Sequence, residues 1–267
     1  MVSCTPPWIL DPTCSTVAQT DDSTANHFAT CLVSRPPPPP APPRPSFKRL
    51  PGSAIDIGGG ANGAVWVVGT NAVFGGRGIY RWAGGGWVPA SGGAVRIAVA
   101  SDGSPWVTNS SNQIFHMVGS GWVKYPGLAQ DVAVGANGAV WVVGTTPVPG
   151  GYGIYRWQGS IWARVYGGAV RIAVAPDGTA WVTNSLNQIF HLTASGPVRY
   201  PGSARDVAVG KDGTVWIVGT NPVPGGYGIY RWGGKAWAQQ PGGAVNITVG
   251  PDGLPWVTNS ADQIYAA

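Results

Sequence analysis

Three observations in the sequence predict an all-β fold, a six-bladed β-propeller with four-stranded blades. The composition favours short strands and tight turns over helices, because 42 residues are Gly and 25 are Pro. An Asn-Gly or Asp-Gly pair, the strongest hairpin signal, recurs along the chain. Two tryptophan series share a 75-residue period: Trp66, Trp141 and Trp216, and Trp106, Trp181 and Trp256. A fixed period indicates a repeat architecture.

Each 75-residue unit divides into two unlike halves. The steps between the two tryptophan series are 40 and 35 residues, so a longer half precedes a shorter one. The short half at 94–127 contains four strand-like segments, at 94–99, 105–108, 113–117 and 122–125. Three units therefore give six blades with pseudo-threefold symmetry.

The hairpin signal occurs once in each half, between the first two predicted strands. Only Gly, Asn and Asp readily adopt the positive φ angles of this turn. Four-stranded units of this size are typical of propeller blades. A β-sandwich or a linear solenoid is the structural alternative. The six pairs are Asn62-Gly63, Asp102-Gly103, Asn137-Gly138, Asp177-Gly178, Asp212-Gly213 and Asp252-Gly253.

The two ends of the periodic region complement each other. The last half stops at 263–267 and lacks a fourth strand. The segment 47–52, before the first full blade, stands in the register of 122–127, the fourth strand of another short half. We therefore expect the N-terminal strand to complete the last blade and close the ring, in a domain at 46–267.

The segment 1–45 has a different composition, rich in Thr, Ser and Pro. It ends in a proline run at 35–45, which predicts an extended polyproline II spacer. Such a spacer can also be the ligand of a protein partner. The three cysteines, Cys4, Cys14 and Cys31, all lie here, so the predicted propeller does not depend on disulfides.

Charge and hydropathy exclude two classes of partner. The net charge is +5, but the Lys and Arg residues are scattered, which does not indicate a nucleic-acid site. No apolar stretch reaches 18 residues, so no membrane span is predicted. The N-terminus lacks a secretory signal pattern. The proline spacer favours an extracellular or cell-surface location, and a cytoplasmic one is the alternative.

One blade motif points to a known family. The pattern Ala-Val-Arg-Ile-Ala-Val-x-x-Asp-Gly-x-x-Trp-Val-Thr-Asn-Ser-x-x-Gln-Ile occurs at 94–114 and 169–189, and with changes at 244–264. These residues resemble the tectonin family of β-propeller lectins, over residues 46–267. The resemblance implies binding of glycans on microbial or other surfaces, some of them modified sugars. Other tectonin-repeat proteins are interaction modules.

The sequence thus predicts a multivalent lectin, and the alternative is a structural or protein–protein interaction propeller. In the usual propeller arrangement, the connections between blades and the loops between second and third strands share one face, here called the loop face. Long loops are predicted there at 71–78, 146–153 and 221–228. Such loops on rigid scaffolds often carry function.

Candidate sugar-binding residues lie in these loops and in the matching turns of the short halves. Tyr152 and Tyr227 are predicted to stack on a sugar ring, and Arg77 replaces them in the first copy. An Asn side chain offers two donors and one acceptor, which suits vicinal hydroxyls. It can equally satisfy only the backbone of its own turn. The turn asparagines are Asn109, Asn184 and Asn259.

A second candidate site is the start of each inner strand, where charge alternates around the ring. One interpretation is a structural ring of ion pairs between blades. The other is a set of polar pockets for a sugar or an anion, framed by neighbouring Asp and Arg residues. The six positions are Asp56, Arg96, Asp131, Arg171, Asp206 and Asn246.

Catalytic signals are weak in this sequence. Its three histidines are His27, His116 and His191, and no His, Cys or Asp set has metal-ligand spacing. No nucleophile–base pair stands out. We therefore predict a protein that is not an enzyme and needs neither a metal nor a cofactor.

Overall fold

A computed structural model describes residues 44–267 as an all-β structure of antiparallel strands. The all-β prediction is thus confirmed. The tail and spacer predicted for 1–45 lie outside the described residues, apart from Arg44 and Pro45, as do the cysteines and the partner role suggested for them. Over residues 44–267, no helix is long and apolar enough to cross a membrane.

The described residues form strands of 4 to 14 residues. The first eleven are β1 (Lys48–Gly59), β2 (Val65–Val73), β3 (Gly76–Trp82), β4 (Trp87–Ala94), β5 (Arg96–Val99), β6 (Pro105–Thr108), β7 (Gln113–Val118), β8 (Gly121–Val134), β9 (Val140–Val148), β10 (Gly151–Trp157) and β11 (Trp162–Ala169). The remaining ones are β12 (Arg171–Val174), β13 (Ala180–Thr183), β14 (Ile189–Thr193), β15 (Gly196–Tyr200), β16 (Ala204–Val209), β17 (Val215–Val223), β18 (Gly226–Trp232), β19 (Trp237–Ala244), β20 (Asn246–Val249), β21 (Pro255–Thr258) and β22 (Gln263–Ala266).

These strands form two seven-stranded and two four-stranded sheets. Their orders are β20-β21-β22-β1-β2-β3-β4, β11-β10-β9-β8-β7-β6-β5, β12-β13-β14-β15 and β16-β17-β18-β19. Each seven-stranded sheet has one long strand, β1 or β8, that pairs with a different neighbour near each end. Such a strand is the fourth strand of one four-stranded set and the first strand of the next.

The N-terminal strand pairs with the last strand of the chain. Lys48 lies opposite Ala266, as Val123 lies opposite His116 in the equivalent pair of β8 and β7. The segment that sequence comparison aligned with 122–127 therefore has the same register as its counterpart. Register is fixed here because a shift of one residue would turn the apolar side chains to the wrong face.

The core consists of separate clusters between neighbouring four-stranded sets. One cluster packs Trp141 and Ile154 of one set against Ile172 and Val182 of the next. Equivalent clusters follow at each later step along the chain, and one lies between Ile264 of β22 and Ile57 of β1. Apolar burial thus holds successive sets face to face, with roughly 1.5–3 kcal/mol for each large side chain that is fully buried.

The long loop predicted at 71–78 is instead a hairpin extension of β2 and β3. Ala72 pairs with Arg77, and only Phe74 and Gly75 form the turn. Gly76 has a φ of 139°, and a Cβ there would lie 2.5 Å from the carbonyl oxygen of Ala94. The hairpin therefore lies directly on β4. The loops predicted at 146–153 and 221–228 are hairpins of the same kind.

Candidate functional site

The Asp and Arg positions of the inner strands surround one cavity, here called the inner-strand cavity. It is lined by residues of β1, β5, β8, β12, β16 and β20. The three carboxylates accept backbone N–H bonds from the following inner strand, at 2.8 Å from Ile97, 3.1 Å from Ile172 and 2.9 Å from Ile247. Each Asp thereby links two inner strands.

The charges in this cavity are not fully balanced. Arg96 lies 3.4 Å from Asp56, and Arg171 lies 3.8 Å from Asp206. Burial raises the pKa of Asp206 to about 7 and that of Asp131 to about 6, despite the opposing effect of the arginines. The sixth position, Asn246, donates to Ile55 O and Thr258 Oγ1 and brings no positive charge.

The inner-strand cavity is small for a sugar. Its volume is about 90 Å³, whereas ligand pockets begin near roughly 300 Å³. The carboxylates already accept hydrogen bonds from the backbone. For Asp56, Asp131, Asp206, Arg96 and Arg171 this geometry favours the ion-pair interpretation over the pocket interpretation.

The side chains of the turn asparagines form hydrogen bonds within their own turns. In each, Oδ1 accepts backbone N–H bonds from the second and fourth following residues, and Nδ2 donates to a glutamine Oε1, all at 2.8–3.1 Å. One Nδ2 hydrogen of each amide is left over for a ligand. The residues are Asn109, Asn184 and Asn259, with Gln113, Gln188 and Gln263.

The predicted stacking residues have protein partners. The guanidinium of Arg205 lies 4.0 Å from the ring centroid of Tyr227, and Tyr152 packs against a core cluster. Arg77 donates to the carbonyl of Thr70. These three side chains do not line the clefts described next.

A cleft of about 410 Å³ lies between the long and short halves of the second repeat and is here called the second-repeat cleft. Its floor is apolar, with Ile154, Val182 and Phe190. Asn184 is at its edge, and the neighbouring Ser185 N donates to Gly150 O at 3.0 Å across the two halves. The β9–β10 hairpin and the β13–β14 turn both contribute, so the cleft borders the loop face.

The equivalent cleft of the third repeat has about 330 Å³ and is here called the third-repeat cleft. Its lining includes Ile229, Val257, Tyr265 and Asn259, each 75 residues beyond its counterpart in the second-repeat cleft. In the first repeat, Trp122 packs into this position, and its Nε1 donates to Ser91 O at 2.9 Å. The second and third repeats thus each have an open cleft at this position.

Sequence reasoning missed the residues that distinguish the second-repeat cleft. Arg164, Tyr166 and Pro197 line it, and none was predicted as a site residue. The predicted site residues recur from repeat to repeat, whereas these three do not recur. The sequence feature that could have identified them is a difference between repeats: at these positions the second repeat has other residues than the first and third.

His116 and Ser104 are close together, but not as a nucleophile and its base. Ser104 Oγ donates to Asp102 Oδ1 at 2.6 Å, so the His116 ring must donate from Nε2 across the 2.8 Å to Oγ. Asp177, Thr179 and His191 repeat the arrangement. The His116 ring also stacks on Trp106 at 4.3 Å, which indicates a structural role.

We predict that Asn184→Ala lowers the free energy of unfolding by about 1–2 kcal/mol, because two backbone donors lose their acceptor. Asn184→Asp is the matched control, since it keeps the oxygen that accepts from Leu186 N and Gln188 N. Urea unfolding measures both. Equal stability of the two variants would contradict the turn role.

Comparison with known proteins supports a propeller. A streptogramin B lyase structure has a TM-score of 0.56 and 18% identity, covering 83% of this chain and 96% of that one. Regucalcin from Agrobacterium tumefaciens, described as calcium-binding, has a TM-score of 0.56 and 14% identity, covering 82% and 90%. A chain of a mitotic checkpoint complex has 0.57 and 10%, covering 84% and 93%. At these identities the likeness shows the fold alone.

A comparison with curated protein sequences gives no match. The family model of the tectonin domain matches residues 148–224, about one repeat length. The matched segment contains every residue that lines the second-repeat cleft. The resemblance to the tectonin family that was read from the blade motif is thereby confirmed over this segment.

Proposed function

We propose that the protein is a non-catalytic, multivalent lectin whose sites are the clefts between the halves of its repeats. The observation that carries this proposal is the recurrence of an open cleft, with volumes of about 410 and 330 Å³, at 75-residue spacing. Both volumes lie in the range of small-molecule pockets. Two equivalent weak sites on one rigid scaffold raise the overall avidity for a surface that carries many glycans.

The chemistry of the clefts suits a sugar. Each has an apolar floor for the C–H face of a pyranose ring and an Asn amide at its edge, Asn184 or Asn259. Gly150 or Gly225 lines the cleft beside each of these amides. Apolar surface with a few convergent polar groups is the usual composition of a ligand site. The floor also favours sugars with apolar substituents, which includes modified sugars.

The scaffold in this proposal is a closed ring of six four-stranded blades at residues 46–267. Contacts between the first and last inner strands support closure. Asn246 Nδ2 donates to Ile55 O at 2.7 Å, and Gly59 N donates to Thr248 Oγ1 at 2.9 Å. Residues 1–45 are proposed as a spacer that sets the distance between the ring and its attachment, at a cell surface or outside the cell.

The proposal is tested on a glycan array with the full chain, including acidic and modified sugars. We expect binding to a defined glycan class with an apparent affinity that falls when the glycan density is lowered, because avidity needs two engaged sites. Asn259→Asp, compared with the wild type, reports on the third-repeat cleft alone. Absence of binding to every glycan on the array would overturn the lectin proposal.

A second candidate function is a protein-interaction module, and one observation favours it. Phe74, at the tip of the β2–β3 hairpin, is fully exposed (102%), where the other repeats have Pro149 and Pro224. A single exposed aromatic side chain is a common anchor in protein interfaces. Retention of a protein partner by the wild type and its loss in Phe74→Pro would support this function.

A further inference from the structure

The second-repeat cleft and its β13–β14 turn differ from their equivalents at five positions. In each case the first and third repeats have other residues. The positions are Arg164 (Pro89 and Gln239 in the first and third repeats), Tyr166 (Ser91 and Pro241), Leu186 (Ser111 and Ala261), Leu192 (Met117 and Ala267) and Pro197 (Trp122 and Phe47). Four of the five line the cleft, and Leu186 is in the same turn as Asn184.

Pro197 accounts for the extra space. In the first repeat, the indole Nε1 of Trp122 lies 3.1 Å from the position that a Cβ of Gly92 would have. In the third repeat, Phe47 lies 3.6 Å from the same position at Gly242. At Gly167, the equivalent residue of the second repeat, only Ile154 Cδ1 is near, at 3.7 Å. The short proline ring leaves the position of the aromatic side chain open.

Arg164 brings the only charge among the residues that line this cleft. Its guanidinium is held in place by Nη2 donating to Gly167 O at 3.1 Å and Nη1 donating to Ile154 O at 3.3 Å, and it lies 5.5 Å from the ring centroid of Tyr155. A guanidinium has five donor hydrogens in a rigid fork. Three therefore remain for a ligand, on a group already oriented.

Tyr166 supplies an aromatic surface beside this charge. The residue is 86% exposed, so both its ring and its hydroxyl are accessible. An exposed tyrosine that lines a cleft offers a rigid, amphipathic surface for a ring-shaped ligand. The cleft thus combines a guanidinium group, an aromatic ring and an apolar floor. This combination fits a ligand that is both ring-shaped and anionic.

We propose that the second-repeat cleft binds one sugar that carries a carboxylate, of the uronic acid class. The carboxylate pairs with Arg164, the sugar ring lies on Tyr166, and the space left by Pro197 receives the ring. This inference rests on the proposed lectin function and makes it specific: of the two open clefts, one is selective for acidic sugars. The third-repeat cleft, with Gln239 and Pro241 at these positions, lacks that selectivity.

Isothermal titration calorimetry with the full chain tests the proposal, with galacturonic acid and galactose as matched ligands. We expect galacturonic acid to bind at this cleft about tenfold more tightly than galactose, the ratio that one charge-assisted hydrogen-bonded contact gives. The ratio should fall as salt is added. Acetate, which has the carboxylate but no ring, is expected not to compete at the same concentrations.

Two variants each replace a residue of this cleft with the residue at the equivalent position of another repeat. Arg164→Gln takes the residue of the third repeat, and we expect it to abolish the preference for galacturonic acid, so that the two sugars bind with equal affinity. Pro197→Trp takes the residue of the first repeat, and it should remove binding of both sugars at this cleft. Arg199→Gln is the control, because it changes the net charge equally at an exposed residue that does not line the cleft.

The outcomes separate this inference from the lectin proposal. Equal affinity for galacturonic acid and galactose, or an Arg164→Gln variant that behaves like Arg199→Gln, overturns the inference while neutral glycan binding leaves the lectin proposal standing. Failure of every glycan to bind overturns both. Near-ultraviolet circular dichroism checks each variant's fold, and if Pro197→Trp does not fold, Arg164→Gln alone decides.

Discussion

Removing residues 1–51 is expected to unfold most of the protein at room temperature. The deletion takes away Lys48 and Arg49, two of the three β1 residues paired with β22, together with Phe47 and Leu50, which pack against two core clusters. It also removes Pro51 O, which accepts from Trp87 Nε1 at 2.7 Å. Each large apolar side chain contributes up to roughly 1.5–3 kcal/mol when fully buried, and the lost strand pairing adds to the loss of these two partly buried side chains. Together they are a large part of the total stability of an ordinary domain, about 5–15 kcal/mol.

Urea unfolding followed by tryptophan fluorescence, with size-exclusion chromatography, measures this loss. Removal of residues 1–43 is the control, and we expect it to leave the unfolding midpoint unchanged, as the proposed boundary near residue 46 implies. A chain of 52–267 that unfolds at the same urea concentration as the wild type would contradict closure by the N-terminal strand. Aggregation of that chain is consistent with the prediction, because it exposes β22 as an edge.

The second large effect is a loss of stability as the pH rises. Burial raises the pKa of Asp206 from 3.8 to about 7 in the folded protein. The folded state therefore holds a proton that the unfolded state has released. The stabilisation by this group is complete below about pH 4 and is lost as the pH rises through 7. Between these values the free energy of unfolding should fall by about 1.4 kcal/mol per pH unit.

Asp131, with a pKa of about 6, adds to this slope in the lower part of the range, and Asp56 is also shifted upward by burial. We expect Asp206→Asn to have a smaller fall in urea midpoint than the wild type between pH 5 and 8. Asn246→Arg should also flatten the slope, because it adds the positive charge that Arg171 supplies in the second repeat.

Asp212→Asn is the control for the pH experiment. Hydrogen bonds from Thr214 outweigh burial there and hold the pKa of Asp212 below its ordinary value, so it does not titrate between pH 5 and 8. Its midpoint difference from the wild type should be the same at both pH values. If the midpoint difference between Asp206→Asn and the wild type were also the same at pH 5 and pH 8, the pH dependence of stability could not be assigned to the inner-strand cavity.

Much of the fold follows from the sequence because the same short-range physics is repeated. The strand positions follow from the Asp-Gly and Asn-Gly turns, the β-branched strands and the 75-residue period. The last short half lacks a fourth strand, and the segment at 48–50 supplies it by pairing with β22. Residues 71–78 and their two equivalents are predicted as loops but form hairpins. Their Pro and Gly residues suggest irregular structure, yet proline is tolerated where a strand does not need its N–H.

The candidate site was less predictable, for a physical reason. The recurring Asn and Asp side chains are constrained by the backbone of every repeat, so recurrence identifies structural roles such as the turn of Asn184. Binding specificity depends on differences between repeats, as at Pro197 and Arg164. Only the structure shows that these positions, 33 residues apart in sequence, face one cleft.

The pairing of β1 with β22 has a consequence for how the protein is made. Lys48 is among the first described residues to leave the ribosome, and its partner Ala266 lies 218 residues further along the chain. The first strand must therefore wait, unpaired along this edge, until β22 has been synthesised. Such long-range pairing is slow and exposes the nascent chain to aggregation. The pairing of β1 with β22 thus cannot form before every other described strand has left the ribosome, whatever the order in which those strands assemble.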